Sequence, residues 1–341
     1  MPLTPAAERE LLTSLLKQVS RSFYLTLRVL PRTIRRQIGL AYLLARTTDT
    51  IADTGIIPVT QRLDALHRLR ERILGVSSAD LNFGSLAREP DLPAERVLLE
   101  RVGESLELLR ALPESDLKLV RQVLDTIVSG QELDLRRFDG ASEKKIVALQ
   151  NGAELDDYTY RVAGCVGKFW TEMCLAHVFR PDELPRGVAP DSFEQMGIRF
   201  GKGLQLVNIL RDVPADLRNG RCYFPAEKLA DAGLTPSELL TPTNEAKFRP
   251  LYDRYLDLAE SHLTAGWQYT NHIAWGRMNL RLACAWPVLI GLKTVNHLRA
   301  GTVLDPLHRI KASRTEVRGI MVRSVLLYPF PAAWRRLGLR T

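Results

Sequence analysis

Helical periodicity dominates this 341-residue chain, and alternating patterns typical of β-strands are scarce. Apolar residues recur every three or four positions over long segments, which predicts amphipathic helices. Because no Pro/Gly/Ser-rich linker divides the chain, residues 1–341 are expected to form a single all-α domain, with residues 75–92 as a loop. The predicted helices cover about 6–19, 33–53, 58–74, 93–110, 115–138, 153–179, 190–213, 245–272, 277–298 and 309–326.

Composition narrows the class of protein. With 45% hydrophobic and 25% charged residues, the chain has enough apolar material for a large core, which excludes a disordered or collagenous chain. The four cysteines show no C-x-x-C spacing, and this favours a reducing compartment, the cytoplasm. The longest charge-free apolar stretches, 282–292 and 324–334, are shorter than the roughly 17–25 residues of a membrane span. No secretory signal is expected at the N-terminus.

The net charge of +8 favours anionic partners. Nucleic acid, a phosphorylated small molecule and an acidic lipid surface all fit this charge. Charge alone does not choose among the three.

A first group of polar residues lies within LAYLLARTTDTIADT. At about 100° per residue, Tyr42, Arg46, Asp49 and Asp53 fall within a sector of ~60° on one helix. Leucines interleave with them, so this helix is expected to be substantially buried. Two carboxylates on a buried stripe repel each other unless a cation lies between them. A solvated acidic face is the alternative that this segment alone leaves open.

A second group lies within GKGLQLVNILRDVPADLRNGRCYFP. Gln205, Asn208, Asp212 and Asp216 follow at steps of three, four and four residues, within a sector of ~80° if the helix persists. An amphipathic surface helix rarely needs amides aligned with carboxylates. Pro214 should kink or end the helix, so Asp216 is expected on a turn.

Together the two groups predict diphosphate chemistry. Mg²⁺ prefers oxygen ligands and bridges carboxylates to phosphates, and an arginine accompanies each group, Arg46 in the first and Arg211 in the second. The chain has no P-loop, no Rossmann fingerprint and no H-E-x-x-H motif. Gly164 and Gly167 are predicted to be close-packing positions between helices.

With both groups located, the sequence resembles the squalene/phytoene synthase family of head-to-head isoprenyl diphosphate synthases. The resemblance spans about residues 20–314, and its markers are SRSFYLTLRVLP at 20–31, DTIAD at 49–53, YTYRVAGCVG at 158–167, and QLVNILRDVPAD with NGRCYFP at 205–225. It implies the single-domain, all-α isoprenoid-synthase fold with a central cavity. Residues 315–341 would be a basic and apolar tail.

The resemblance also implies roles for individual residues. The aspartates of the two groups would face each other across the cavity and bind Mg²⁺ with an amide, a set that comprises Asp49, Asp53, Asn208, Asp212 and Asp216. Catalytic roles go to these four aspartates and to two tyrosines near the reacting carbons, Tyr42 and Tyr158. Substrate binding goes to Ser20, Arg21, Ser22, Phe23, Arg46, Gln205, Asn208, Arg211, Arg221 and Tyr223. A C-terminal basic segment with Lys311 and Arg314 would bind the phosphate of NADPH.

The reaction that the resemblance implies joins two molecules of farnesyl diphosphate through presqualene diphosphate and reduces the product to squalene with NADPH. A phytoene, dehydrosqualene or hydroxysqualene synthase of the same fold is the nearest alternative. A basic helical binding protein without catalysis is the alternative from another class. No nucleic-acid partner is expected, because the acidic pairs would repel a phosphate backbone unless loaded with metal.

The C-terminal sequence GIMVRSVLLYPFPAAWRRLGLRT combines arginines with apolar side chains. Such a composition fits peripheral contact with an anionic membrane, on its inner face for a cytoplasmic protein. A final helix and tail packed on the domain is the alternative, and the sequence leaves both open.

Overall fold

Helices account for most of the chain in a computed structural model, which describes residues 3–20, 23–90, 92–180, 183 and 188–339. The prediction of an all-α fold is confirmed: in these residues the strands are one pair of two residues each. The contacts group into two compact units, Met1–Arg137 with Phe169–Phe179, and Phe138–Lys168 with Arg180–Thr341. The single domain and its central cavity stay predictions.

The first unit is built around one long buried helix, α4, which packs against α5, α7 and α8. Its apolar residues at helical spacing, among them Leu40, Leu43 and Leu44, are fully buried. A π-helical turn at Leu11–Leu15 joins α1 to α2, and a 3₁₀ turn at Gly84–Ala87 lies in the predicted loop. The helices are α1 Pro5–Glu10, α2 Leu16–Ser20, α3 Phe23–Val29, α4 Arg32–Asp53, α5 Val59–Leu74, α6 Pro93–Glu100, α7 Val102–Arg110 and α8 Glu114–Arg137.

The second unit centres on a helix that contacts most of its neighbours, α11, which packs most extensively against α14. A π-helical turn at Tyr160–Gly164 joins α9 to α10, and α10 continues into the first unit. The elements are β1 Val147–Ala148, α9 Gly152–Thr159, α10 Cys165–His177, α11 Pro190–Arg211, α12 Val213–Arg218, β2 Arg221–Cys222, α13 Ala226–Asp231, α14 Glu245–His272, α15 Met278–Ala300, α16 Arg314–Leu327 and α17 Pro331–Arg335, with 3₁₀ turns at Pro236–Leu240, Pro242–Asn244 and Arg336–Leu339.

Glycines allow α11 to cross the α9–α10 segment in backbone contact. A Cβ atom on Gly167 would lie 1.9 Å from the carbonyl oxygen of Gly197, and one on Gly201 would lie 2.1 Å from that of Ala163. At Gly164 the nearest atoms, 3.1 and 3.2 Å away, belong to side chains. The predicted role of Gly164 and Gly167 as close-packing positions is therefore confirmed, most sharply at Gly167.

Several predicted helix boundaries were wrong for identifiable reasons. The helix predicted over 309–326 begins at Arg314, because Ser313 and Glu316 form a reciprocal capping box. The helix predicted over 93–110 divides at Arg101, whose backbone leaves helical geometry while its side chain pairs with Glu104 and Glu10. The short helices α3, α12, α13 and α17 were not predicted.

The inner side of the C-terminal segment packs on the second unit. Trp334 is fully buried, stacks on Trp267 with ring centroids 5.5 Å apart, and donates a 2.9 Å hydrogen bond to Asn271 Oδ1. Tyr328 stacks on Trp275 at 4.6 Å. The packed arrangement, one of the two alternatives for this segment, is thus what the structure shows for its inner side.

Two further predictions can be compared with the structure. All four cysteines are free and buried, in agreement with a chain that has no disulfide framework. Among the described residues, no helix combines the length and the hydropathy needed to cross a membrane.

Candidate active site

The first acidic set consists of Tyr42, Arg46, Asp49 and Asp53 on α4, and the structure places all four within one helix of the first unit. Asp53 is the last residue of α4 and is exposed, whereas the other three are half-buried. The many buried residues of α4 confirm the expected burial of this helix, while the two carboxylates themselves remain partly or fully exposed to solvent.

Arg46 connects this set to a residue that the sequence did not indicate. Its guanidinium forms short ion pairs with Asp49 and with Glu95, in the first turn of α6. Only 13% of the Glu95 side chain is exposed. The Nε atom of Arg46 is buried and has no hydrogen-bond partner among the described residues, which leaves a donor available to an anionic ligand. In the sequence, the one feature that could have pointed to Glu95 is its position as an acidic residue just after the helix break at Pro90–Pro93.

Burial and a neighbouring carboxylate both act on Asp49. Burial and the charge of Asp53 raise the pKa of Asp49 to about 6, although Arg46 opposes the shift. Since 42% of the Asp49 side chain is exposed, water screens part of the burial effect, and the neighbouring carboxylate is the firmer cause. Burial also raises the pKa of Tyr42. A cation between the carboxylates would relieve this repulsion.

The second acidic set consists of Asn208, Asp212 and Asp216. These residues remain one helical turn apart although the helix is interrupted between α11 and α12. The amide of Asp212 donates to the carbonyl of Asn208 at 3.0 Å, and the amide of Asp216 donates to that of Asp212 at 2.9 Å. The three residues therefore follow one another a turn apart, as the sequence predicted. Asp216 lies in the first turn of the short helix α12, and the expectation of a non-helical turn was wrong.

Pro214 explains the break, and a buried tyrosine compensates for it. Proline has no amide hydrogen, so the carbonyl of Leu210 loses its usual donor four residues later. The hydroxyl of Tyr252, a fully buried residue of α14, donates to this carbonyl at 2.9 Å. α14 thereby fixes the backbone at the point where Asp212 leaves the helix.

Two arginines bind Asp212 at the same time. Arg211 donates from Nε to Oδ1 at 3.0 Å and from a terminal nitrogen to Oδ2 at 2.5 Å. Arg309, 97 residues further along the chain, donates from Nε to Oδ1 at 2.9 Å. Burial alone would raise the pKa of Asp212, but the hydrogen bonds and charges of both arginines outweigh it and lower the pKa. Asp212 is therefore a carboxylate at neutral pH.

A chain of polar and aromatic contacts extends from the second acidic set. Asn208 donates to Gln205 at 3.3 Å, and Gln205 lies within 3.5 Å of the Tyr158 hydroxyl. The ring of Tyr158 stacks on Tyr223 at 4.7 Å. The structure thus brings together four residues that the sequence placed in one site.

Arg221 and Tyr223 are held by a turn and a short β-ladder. Gly220 adopts a φ of 77°, and a Cβ atom there would lie 2.2 Å from the amide nitrogen of Ser142. After this turn, β2 pairs with β1 in parallel, and the Arg221 guanidinium lies over the ring of Phe138 at 5.7 Å. A glycine turn followed by a ladder gives both side chains a fixed position.

The donor chemistry of both sets fits Mg²⁺. Among the described residues, no group of three or more His, Cys, Asp or Glu side chains gathers as a complete metal cage. Mg²⁺ usually takes one or two carboxylates and completes its shell with water and substrate phosphates. A pair of carboxylates one helical turn apart in each set, Asp49 with Asp53 and Asp212 with Asp216, matches this preference.

The other predicted site residues have different outcomes. Arg21 and Ser22 lie outside the described residues, and for Phe23 only the backbone is described. Ser20 is buried, and its hydroxyl has no hydrogen-bond partner among the described residues. Lys311 and Arg314 are exposed, and it is Arg309 of the same basic segment that reaches Asp212.

Comparison with known proteins identifies the family. The model of the squalene/phytoene synthase family matches residues 16–316, and the chain belongs to this family. A complex of TcSQS with the ligand E5700 superposes with a TM-score of 0.73 at 20% identity, over 97% of this chain and 95% of that one. At this identity the likeness shows the fold.

Among the relatives, 15-cis-phytoene synthase of Synechocystis is 27% identical over 94% of this chain and 82% of its own length. Presqualene diphosphate synthase of Zymomonas mobilis is 30% identical over 63% of this chain and 60% of its own length. The bifunctional lycopene cyclase/phytoene synthase of Colletotrichum graminicola is 28% identical over 72% of this chain. The match covers 39% of that relative, so the chain spans about two-fifths of the bifunctional protein.

Proposed function

We propose that the chain is a head-to-head prenyltransferase that condenses two molecules of farnesyl diphosphate to presqualene diphosphate and, with NADPH, converts this to squalene. The observation that carries the proposal is the arginine-paired carboxylate in each acidic set, Asp49 with Arg46 and Asp212 with Arg211. The chain belongs to the squalene/phytoene synthase family, and the resemblance of DTIAD and of the segment around Asp212 to that family's aspartate motifs supports the proposal.

In each set, the carboxylates would bind Mg²⁺ and the arginines would bind the diphosphate directly. When bound to the carboxylates, Mg²⁺ supplies the charge that stabilises a departing diphosphate. Arg46 offers its unpartnered Nε donor, and Arg309, exposed over 59% of its side chain, can exchange Asp212 for a substrate oxygen. These arginines neutralise charge as the allylic C–O bond breaks, so the chain needs no nucleophilic residue.

The aromatic pair beside the second set would protect the carbocation. The stacked rings of Tyr158 and Tyr223 present π faces, which stabilise positive charge when water is excluded. Gln205 near the Tyr158 hydroxyl orients that ring. We therefore assign to Tyr158 and Tyr223 the stabilisation of the allylic cation. We assign no residue to the removal of the proton.

The name of one relative favours a second outcome, in which the reaction stops at the cyclopropane intermediate, presqualene diphosphate. A relative of 30% identity is named a presqualene diphosphate synthase. In that case the chain would release presqualene diphosphate, and reduction would fall to another enzyme. Phytoene formation from geranylgeranyl diphosphate is the corresponding alternative from the phytoene synthase relatives.

Product analysis separates these outcomes. Purified protein is incubated with Mg²⁺ and either farnesyl or geranylgeranyl diphosphate, with and without NADPH, and the products are identified by mass spectrometry. We expect squalene from farnesyl diphosphate only when NADPH is present, and presqualene diphosphate without it. Presqualene diphosphate under both conditions would replace the proposal with the shorter reaction, and C40 products alone would replace it with phytoene synthesis.

The proposal also includes NADPH as the hydride donor and the cytoplasm as the compartment. Arg314 begins α16 and Lys311 lies in the segment just before it; both are exposed cations that fit the charge of the 2′-phosphate of NADPH. The four free, buried thiols agree with a cytoplasmic protein. We place the C-terminal segment at the inner face of the membrane.

Arg309 gives a prediction that tests the second acidic set. Replacing Arg309 by Ala removes a cation that can pass from Asp212 to the diphosphate, so we expect kcat/KM for farnesyl diphosphate to fall by about 10- to 100-fold. Arg309→Lys should recover part of this loss. Arg254→Ala removes an exposed arginine of α14 and is the matched control. Equal activity of the Arg309→Ala and control variants would show that Arg309 has no contact with substrate.

A further inference from the structure

Four apolar side chains are exposed together on one side of the C-terminal segment, and we call this side the outer face. It consists of Val322, Val325, Leu326 and Phe330, which are 56%, 42%, 66% and 62% exposed. The first three follow helical spacing on α16, so they lie on one side of the helix. Phe330 lies in the turn to α17. Isolated exposed aliphatic residues are ordinary, but four within nine residues form a patch.

The opposite side of the same segment is firmly anchored. Ser324 is buried and accepts a 2.9 Å hydrogen bond from the indole of Trp286. Tyr328 hydrogen-bonds the carbonyl of Trp275, and the guanidinium of Arg281 lies over the ring of Trp334 at 5.3 Å. These contacts hold the segment through its inner side and do not involve the four side chains of the outer face.

The charge around the outer face has one sign. From residue 317 to the C-terminus the sequence has five arginines and no aspartate, glutamate or lysine. Arg318 and Arg323 flank the patch on α16, and Arg335 and Arg336 follow it; all four are exposed. The nearest preceding acid, Glu316, accepts contacts from His297 and Lys293 and caps its own helix. Its negative charge is therefore already compensated.

We propose that the outer face docks on the surface of an anionic lipid bilayer. Exposed aliphatic and phenyl groups would enter the acyl boundary while the arginines contact lipid phosphates, the combination typical of interfacial helices. The charge argues against a second copy of the chain as the occupant, because a symmetric contact would bring the arginines of both copies together. This inference deepens the proposed localisation and does not depend on the proposed activity.

Vesicle flotation of the full chain tests the proposal. We expect binding to vesicles of phosphatidylglycerol and phosphatidylcholine mixed, weaker binding at high salt, and little binding to phosphatidylcholine alone. Leu326→Glu and Phe330→Glu should each reduce the partitioning of the protein onto vesicles by about tenfold or more. Each variant replaces an apolar side chain that would be buried in the lipid with a charged one. Arg318→Gln with Arg323→Gln should cost roughly fivefold for each arginine.

Val76→Glu is the matched control, because Val76 is 75% exposed on the first unit and lies outside the outer face. Circular dichroism and detergent-phase activity check that each variant is folded, independently of vesicle binding. Absence of binding by the natural chain, or unchanged binding by both glutamate variants, would overturn the proposal. So would a dimer in sedimentation velocity that Leu326→Glu dissociates, or duplex DNA binding that the same variants abolish.

Discussion

Asp212→Asn is expected to lower kcat by about a thousandfold, the size of effect that follows the loss of a preorganised electrostatic group. Asp212 is the residue on which Arg211 and Arg309 converge, and its lowered pKa keeps it ionised at neutral pH. Asparagine keeps the shape and the hydrogen-bond acceptor but removes the charge that would hold Mg²⁺ in the proposed site. Steady-state kinetics with farnesyl diphosphate measure the loss.

The fold should survive this change. Asparagine keeps an oxygen that can accept from Arg211 and from Arg309, whose side chain is 59% exposed, so the free energy of unfolding should fall by only about 1–2 kcal/mol. Asp231→Asn is the control, because Asp231 is an exposed acid of the same unit whose partner is Lys228 at 3.3 Å. If Asp212→Asn and Asp231→Asn were equally active, the second acidic set would not be the diphosphate site.

Gly167→Ala is expected to destabilise the protein by about 3 kcal/mol or more, the opposite of the usual effect in a helix. Alanine normally stabilises a helix by up to about 1 kcal/mol relative to glycine. Here the new Cβ atom would lie 1.9 Å from the carbonyl oxygen of Gly197, so two backbones must separate. Urea denaturation followed by circular dichroism measures the change.

Gly152→Ala provides the control for that measurement. Gly152 begins α9, in the same run of helix, and a Cβ atom there would meet nothing within 4 Å. We expect Gly152→Ala to be neutral or slightly stabilising. Because the crossing at Gly167 also holds Tyr158 near Gln205, Gly167→Ala should lose activity even where it remains folded. A Gly167→Ala variant as stable as the natural chain would contradict the close crossing.

The sequence was sufficient for features that depend on local spacing. The steps between Asn208, Asp212 and Asp216 placed these residues one turn apart, and the i to i−4 hydrogen bonds confirm it. Pro214 predicted the end of α11 within two residues. Such predictions succeed because helix geometry and the missing amide of proline act on near neighbours.

The sequence was insufficient for contacts between distant segments. Glu95 pairs with Arg46 across 49 positions and Arg309 pairs with Asp212 across 97, and no local pattern marks either pair. Tyr252 is similar, since its role follows from a carbonyl that Pro214 leaves without a donor. The predicted start of a helix at 309 also missed the capping box at Ser313, although its S-x-x-E spacing is visible in the sequence.

The most direct test of the account is the release of inorganic diphosphate from farnesyl diphosphate by the natural chain, measured as Mg²⁺ is titrated from zero in the presence of a chelator. The account predicts no release without the metal, saturable release with it, and a C30 product formed in parallel. Release at full rate without a divalent cation, or no release at any Mg²⁺ concentration, would contradict it.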